Sequence, residues 1–175
     1  AFVATNSTNA PISGTVVVTP AYTNAGLTCT GLTQDVLITV NPTPTVNPVA
    51  NQALCVGAST SAVTFASTFN VAGTTFAWTN TNTAINLGAN GNTTVPSFAT
   101  TNTTNAAIAG TLSVIPSYTN AGTSCVGTPQ SFTITVNPIP SLSNPTDQVV
   151  CNNASTAAIA FTGPVTGTTF AWTNS

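Results

Sequence analysis

The chain repeats its own sequence after the length of one domain. Residues 2–14 (FVATNSTNAPISG) return as residues 98–110 (FATTNTTNAAIAG), an offset of 96. The segment GTTFAWTN stands at 73–80 and again at 167–174, an offset of 94. A unit of this size is a whole domain and is too long for one rung of a solenoid. The fold must therefore be one that a chain can place in tandem.

Two proline-rich segments divide the chain. Residues 41–44 (NPTP) and 137–140 (NPIP) each follow an alternating pattern and precede its restart. Proline fixes φ and lacks a backbone donor, so we expect stiff, extended connectors. The sequence predicts the C-terminal half of one repeat at 1–43, a complete repeat at 44–139 and the N-terminal half of the next at 140–175.

Apolar residues alternate with polar ones inside the complete repeat, and no helical stripe occurs. About seven short strands in roughly 95 residues are typical of an antiparallel immunoglobulin-like β-sandwich. The predicted fold class is thus all-β, with immunoglobulin-like sandwiches in tandem. The residues expected in the sandwich core are Phe65, Phe76, Trp78, Leu112, Val114, Tyr118, Phe132, Ile134 and Val136.

Glycine and asparagine clusters predict the turns between these strands. Asn90-Gly91 is predicted to be a hairpin turn, and residues 120–122 (NAG) a second one. Asn-X-Ser/Thr triplets begin at Asn6, Asn92, Asn102 and Asn153, a number expected by chance in a chain so rich in Asn and Thr.

The near absence of charge excludes most chemistry. The chain has no lysine, arginine or histidine and only two acidic residues. Nothing is present to neutralise phosphates or to act as an ordinary general base, so we predict no nucleic-acid binding and no enzyme. Asp35 and Asp147 are far apart in sequence. In the other copy of the repeat, Ser131 stands in place of Asp35 and Asn51 in place of Asp147, so we expect both acids to be surface variation. No cofactor or metal site is predicted.

The same lack of charge favours contacts with uncharged surfaces. Edge strands without lysine are poorly protected against pairing with another chain. The expected partners are further tandem copies, laterally assembled chains and neutral carbohydrate. No apolar run approaches the ~20 residues of a membrane helix, so no membrane span is predicted.

The four cysteines leave two pairings open. An even number is typical of secreted, oxidised chains. We predict the bond between Cys55 and Cys125, with Cys29 and Cys151 bonded to adjoining repeats, because it leaves each repeat self-sufficient. Cys55 is expected to precede its strand and Cys125 to lie in a hairpin. The alternative, Cys29–Cys55 with Cys125–Cys151, would join neighbouring domains. Two cysteines per repeat without histidine cannot complete a zinc site.

Several segments together carry a family resemblance. They are CVGAST from Cys55, FAW at 76–78, YTN at 118–120, Cys125 and FTITVNP at 132–138. With the tandem spacing, they resemble the PKD-like (polycystic-kidney-disease-type) repeats of very large secreted surface proteins of Bacteroidota, including gliding-type adhesins. The resemblance covers essentially the whole chain. It implies an immunoglobulin-like sandwich, an extracellular location and a role in adhesion or surface structure. The family's acidic loop after the tryptophan is replaced by WTNTN at 78–82.

These observations predict a structural repeat of an extracellular stalk or filament. A second hypothesis is an adhesive module that binds glycans or surfaces through exposed aromatic side chains near Trp78 and Tyr118. A third is a spacer in a large secreted enzyme.

Overall fold

The computed structural model describes residues 1–174, which form strands, loops and one 3-10 turn but no α-helix. The all-β prediction is confirmed. The strands are β1 (Ile12–Val18), β2 (Ala21–Asn24), β3 (Leu27–Thr30), β4 (Gln34–Val40), β5 (Gln52–Cys55), β6 (Val63–Thr64), β7 (Thr75–Asn80), β8 (Asn90–Asn92), β9 (Thr94–Val95), β10 (Ile108–Asn120), β11 (Thr123–Val126) and β12 (Gln130–Asn137), with the 3-10 turn η1 at Thr83–Ile85.

Residues 44–139 contain a large sheet and a small one. The large sheet has the order β5-β12-β10-β7-β8, and β11 pairs with the far end of β10. All of its pairs are antiparallel except β5 with β12, which is parallel and places Cys55 opposite Asn137. The small sheet is the antiparallel pair β6 and β9.

Side chains of both sheets meet in one hydrophobic core. Val63 of β6 and Val95 of β9 belong to the same buried cluster as Trp78, and Ile85 of η1 is completely buried within it. The predicted core residues Phe65, Trp78, Leu112, Val114, Phe132, Ile134 and Val136 are buried in this cluster, whereas Phe76 and Tyr118 are half-buried. Alternation along the strands thus identifies the inward face.

One predicted turn is present and the other is wrong. Ala121 and Gly122 have φ of 47° and 77° and close the hairpin between β10 and β11, as two-residue hairpins require. Asn90-Gly91 is instead part of β8, where Gly91 lies opposite Trp78. A Cβ on Gly91 would lie 2.4 Å from the indole Cζ2, so glycine is there to admit the tryptophan.

Residues 1–43 repeat the pairing of β10, β11 and β12. Ile12 lies opposite Val40, and their counterparts Ile108 and Val136 also lie opposite each other. Adding 96 to both residue numbers of any β1–β4 pair gives a pair between β10 and β12. The β2–β3 hairpin corresponds to the β10–β11 ribbon in the same way. The isolated half therefore keeps the strand register of the complete repeat.

Residues 140–174 form no strand, yet they keep local contacts of the front half of the repeat. The Gln148 side chain exchanges two hydrogen bonds with the backbone of Ala157, as Gln52 does with Ser61. The rings of Phe161 and Phe170 are 6.3 Å apart, against 5.8 Å for their counterparts Phe65 and Phe76.

Candidate functional site: the joint between repeats

The β10–β11 ribbon reaches the proline-rich linker. At its tip, Asn120 Nδ2 donates a hydrogen bond of 2.8 Å to Asn41 Oδ1. Asn41 directly follows β4 and precedes Pro42, so this bond ties one repeat to the end of the strand that leads into it. The contact lies where two domains meet.

The linker itself is packed closely against the same ribbon. The side chains of Pro42 and Pro44 are less than 2% exposed. A Cβ on Gly127 would lie 1.9 Å from the Pro44 carbonyl oxygen, so only glycine admits the linker at this distance. Buried prolines with fixed φ make the joint stiff.

A cleft of about 280 Å³ lies beside this contact. Val40, Asn41 and Ala4 line it from residues 1–43, and Asn120 and Cys125 line it from the ribbon. Cys125 is half-buried there. The cleft thus brings a thiol to the end of the preceding repeat.

All four cysteines are free thiols in this structure, so the predicted bond between Cys55 and Cys125 is not formed. Cys55 ends β5 rather than preceding its strand. Cys55 lies opposite Asn137, next to the Ile108 end of β10, whereas Cys125 lies opposite Tyr118 near the other end of that strand. The extended strand from Ile108 to Tyr118 is roughly 33 Å long. A disulfide requires Cα atoms within about 7 Å of one another.

Neither Trp78 nor Tyr118, the two residues on which the glycan hypothesis was based, is fully exposed. Trp78 is only 5% exposed, and its Nε1 donates to the Thr94 carbonyl at 3.1 Å. Tyr118 is half-buried, with its ring near Gly73. The expectation of an exposed aromatic pair is wrong because Trp78 fills the centre of the sandwich.

Asn102 has a structural role that sequence reasoning missed. Asn102, 9% exposed, donates from Nδ2 to the Ala106 and Val136 carbonyls, and its Oδ1 accepts from Thr104. Asn6 makes the corresponding bonds to Ala10 and Val40. The asparagine recurs after 96 residues, and the matching hydrogen bonds show that both copies hold the same loop.

The two acidic residues are exposed. Asn51, the counterpart of Asp147, accepts a hydrogen bond from the Thr133 N–H at 2.8 Å through Oδ1, so this position has a role in pairing with β12. Among residues 1–174 no group of three or more metal-ligating side chains occurs. That part of the chain also contains no helix with the length and apolarity needed to cross a membrane.

Comparison with known proteins gives no match to a protein-family model, a curated protein or a solved structure. The structure shows a linker packed against the β10–β11 ribbon, a strand register that repeats after 96 residues, and a buried tryptophan in the complete repeat.

Proposed function

We propose that this chain is a non-enzymatic structural repeat of an extracellular cell-surface stalk or filament, of the adhesin type. The observation that carries the proposal is the clamped joint. Asn120 bonds Asn41, and Gly127 is in contact with the backbone of Pro44. A joint with buried prolines transmits orientation from one domain to the next, which a stalk requires and a flexible linker does not provide.

An immunoglobulin-like identity for each repeat is supported by the strand arrangement. The large sheet carries its first strand, β5, parallel to its last strand, β12. The β6–β9 pair contributes to the same core from outside that sheet. Two sheets of short strands around a tryptophan are typical of the immunoglobulin class, and together with the tandem copies they favour PKD-like repeats.

An extracellular location is supported by composition. The absence of lysine and arginine removes every trypsin site. The weak net charge of −2 leaves little repulsion between neighbouring copies. A surface of hydroxyl and amide groups therefore tolerates close packing outside the cell.

The test is localisation of the native protein together with electron microscopy. We expect surface labelling of intact cells and beads spaced by about 40 Å, the length of the 13-residue strand β10. Recovery in the cytoplasmic fraction, inaccessible to antibody on intact cells, would contradict the proposal. Antibody against a cytoplasmic enzyme is the control for cell integrity.

A further inference from the structure

The two cysteines of the complete repeat lie at opposite ends of its large sheet. Cys55 lies opposite Asn137, at the end of β12, and Cys125 lies opposite Tyr118 on the β10–β11 ribbon. The extended strand between these two levels is far longer than the Cα separation of about 7 Å that a disulfide allows. A disulfide from either cysteine therefore has to reach another repeat.

Both ends of the sheet are joints between repeats. Asn137 and Asn41 each begin one of the two proline-rich segments, so each marks the exit of a repeat. The ribbon of the complete repeat contacts the earlier exit, because Asn120 bonds Asn41. Cys55 thus lies at the exit of its repeat, and Cys125 lies at the entrance of the same repeat.

The strand register relates the ribbon to the position that β5 takes on β12. In the complete repeat β5 pairs with residues 134–137. Their counterparts, residues 38–41, line the cleft that also contains Cys125. Asn120 and Thr123 of the ribbon line the same cleft. The ribbon therefore turns the Cys125 thiol toward the strand edge to which β5 pairs in the complete repeat.

A second contact marks the same position independently. Thr100 Oγ1 donates a hydrogen bond of 3.1 Å to the Cys55 carbonyl oxygen. The counterpart of Thr100 is Ala4, and Ala4 lines the cleft together with Asn41 and Cys125. Two residues that flank Cys55 in the complete repeat thus have their counterparts beside Cys125.

We propose that successive repeats are joined by a disulfide between the β5 cysteine of one repeat and the ribbon cysteine of the repeat that follows it. Cys125 is the ribbon cysteine that bonds back to the preceding repeat, and Cys55 is the β5 cysteine that bonds forward. Cys29 and Cys151 take the same two roles at the adjoining joints. The proposal rests on the proposed function in that it takes the repeats to stand in tandem in an oxidising location.

This direction differs from that of the Cys29–Cys55 alternative. Cys29 on the β2–β3 hairpin corresponds to Cys125 on the ribbon, so it lies at the entrance of its repeat. Cys55 lies at the exit of the next repeat, opposite Asn137. A Cys29–Cys55 bond would therefore have to span two repeats, whereas the proposed bond crosses one joint.

Formation of the bond is a two-electron oxidation. The two thiols lose two protons and two electrons in total and form one S–S bond; a small-molecule disulfide accepts both and is released as two thiols. The joint already holds the Asn120–Asn41 hydrogen bond and the close contact of Gly127 with Pro44. The disulfide makes this packed joint covalent.

The first experiment gives Cys125 a complete preceding repeat. Residues 44–96 are placed a second time before Ala1, which continues their pattern because residue 1 is the counterpart of residue 97. Three variants each keep two cysteines and have the others changed to serine: the added Cys55 with Cys125, the added Cys55 with Cys29, and Cys29 with the original Cys55. Each is treated with oxidised glutathione, and free thiols are counted by mass spectrometry after alkylation.

We expect only the first variant to lose both thiols as a monomer without glutathione adducts. Peptic digestion should then release one linked pair of peptides, from β5 and from the ribbon of the following repeat. An internal bond in the second variant would place the pair within one repeat, and one in the third would reverse its direction. Either result, or two free thiols in the first variant, would overturn the proposal.

Hydrogen exchange checks that the added segment completes the first repeat. In the complete repeat β10 pairs with β7 as well as with β12. The amides of β1, the counterpart of the first part of β10, are therefore expected to gain protection in the extended chain relative to the original one.

A second extended chain decides the question where that protection is missing. Residues 81–139 are placed after Asn174, the counterpart of Asn80, and complete the last repeat. With the other cysteines changed to serine, Cys55 is expected to bond the added Cys125. Two free thiols in this chain would overturn the proposal, and the pair of Cys55 with the original Cys125 is its matched control.

These experiments use purified chain, so a missing bond would leave surface localisation, and with it the proposed stalk, unaffected. Conversely, recovery of the native protein in the cytoplasm would contradict the stalk without changing which thiols pair in the extended chains. The two proposals therefore fail on different observations.

Discussion

Gly14 and Gly110 occupy the same position of the repeat in different surroundings. A Cβ on Gly110 would lie 2.6 Å from both Asn80 Oδ1 and Ile85 Cδ1, whereas one on Gly14 would meet nothing within 4 Å. Identical residues in identical registers thus carry different constraints. In this structure Asn80 and Ile85 lie beside Gly110, and no atom lies at the corresponding place beside Gly14.

We expect Gly110→Ala to lower the free energy of unfolding of the complete repeat by about 1–3 kcal/mol, because the added methyl group overpacks a filled core. Urea denaturation followed by Trp78 fluorescence measures it. Gly14→Ala is the matched control and should change the unfolding midpoint little. Equal effects of the two substitutions would contradict the described packing.

A second residue-scale prediction concerns Asn80, which is 8% exposed and donates from Nδ2 to the Asn82, Leu87 and Gly88 carbonyls. We expect Asn80→Ala to cost about 1–3 kcal/mol of stability, since buried carbonyl groups lose their donor. Thermal unfolding measures the change. Asn105→Ala, at an exposed position, is the control; a loss as large there would argue against the network.

Sequence alternation predicted the inward-facing residues, because strand geometry alone places every second side chain on one face. It did not predict the roles of Asn80 and Asn102, since their hydrogen bonds depend on loops that close from elsewhere in the chain. Gly91 was mistaken for a turn residue for the same reason. Its need for glycine comes from the indole of Trp78, on another strand.

At the scale of elements, pairing decides where strands begin and end. β10 runs without a break through Pro116 because β7 pairs with it from Leu112 to Ser117. In residues 1–43 the corresponding stretch divides into β1 and β2 at 19–20, where no such partner lies alongside. β5 was not predicted because it is short and its partner, β12, is distant in sequence.

The linker clamp is an element-scale feature with its own prediction. We expect Gly127→Ala to push the linker off the ribbon, because a Cβ there would lie 1.9 Å from the Pro44 oxygen. Gly31→Ala is the matched control. A Cβ on either glycine would lie 2.9 Å from a proline ring carbon, in Pro20 for Gly31 and in Pro116 for Gly127. Only the Cβ on Gly127 would also clash with the linker. Small-angle scattering should show a wider spread of domain orientations for Gly127→Ala alone. Identical profiles for the two variants would mean that the linker is held by other contacts.

At the scale of the whole molecule, stability rests on burial and hydrogen bonds rather than on ion pairs. No lysine, arginine or histidine is available to pair with the two aspartates. The repeated strand register was predictable from the sequence repeat. The junction contacts were not, because Asn41 and Asn120 are 79 residues apart in sequence.

We expect the urea midpoint to be nearly unchanged between about 0.05 and about 0.5 M NaCl, since there is little charge to screen. Sodium chloride titration with fluorescence detection tests this, with a charged domain of similar size as the control. A stability that falls steeply as salt rises would reveal attractive electrostatics that the composition does not provide.

The parallel contact of β5 with β12 has a mechanical consequence. β5 is the first strand of the complete repeat and β12 the last, and they lie side by side with the same direction. Tension along a string of such domains pulls β5 and β12 toward opposite ends of the domain, so their hydrogen bonds are loaded together in shear and do not open one at a time. A repeat built in this way resists stretching along the axis on which its neighbours are attached.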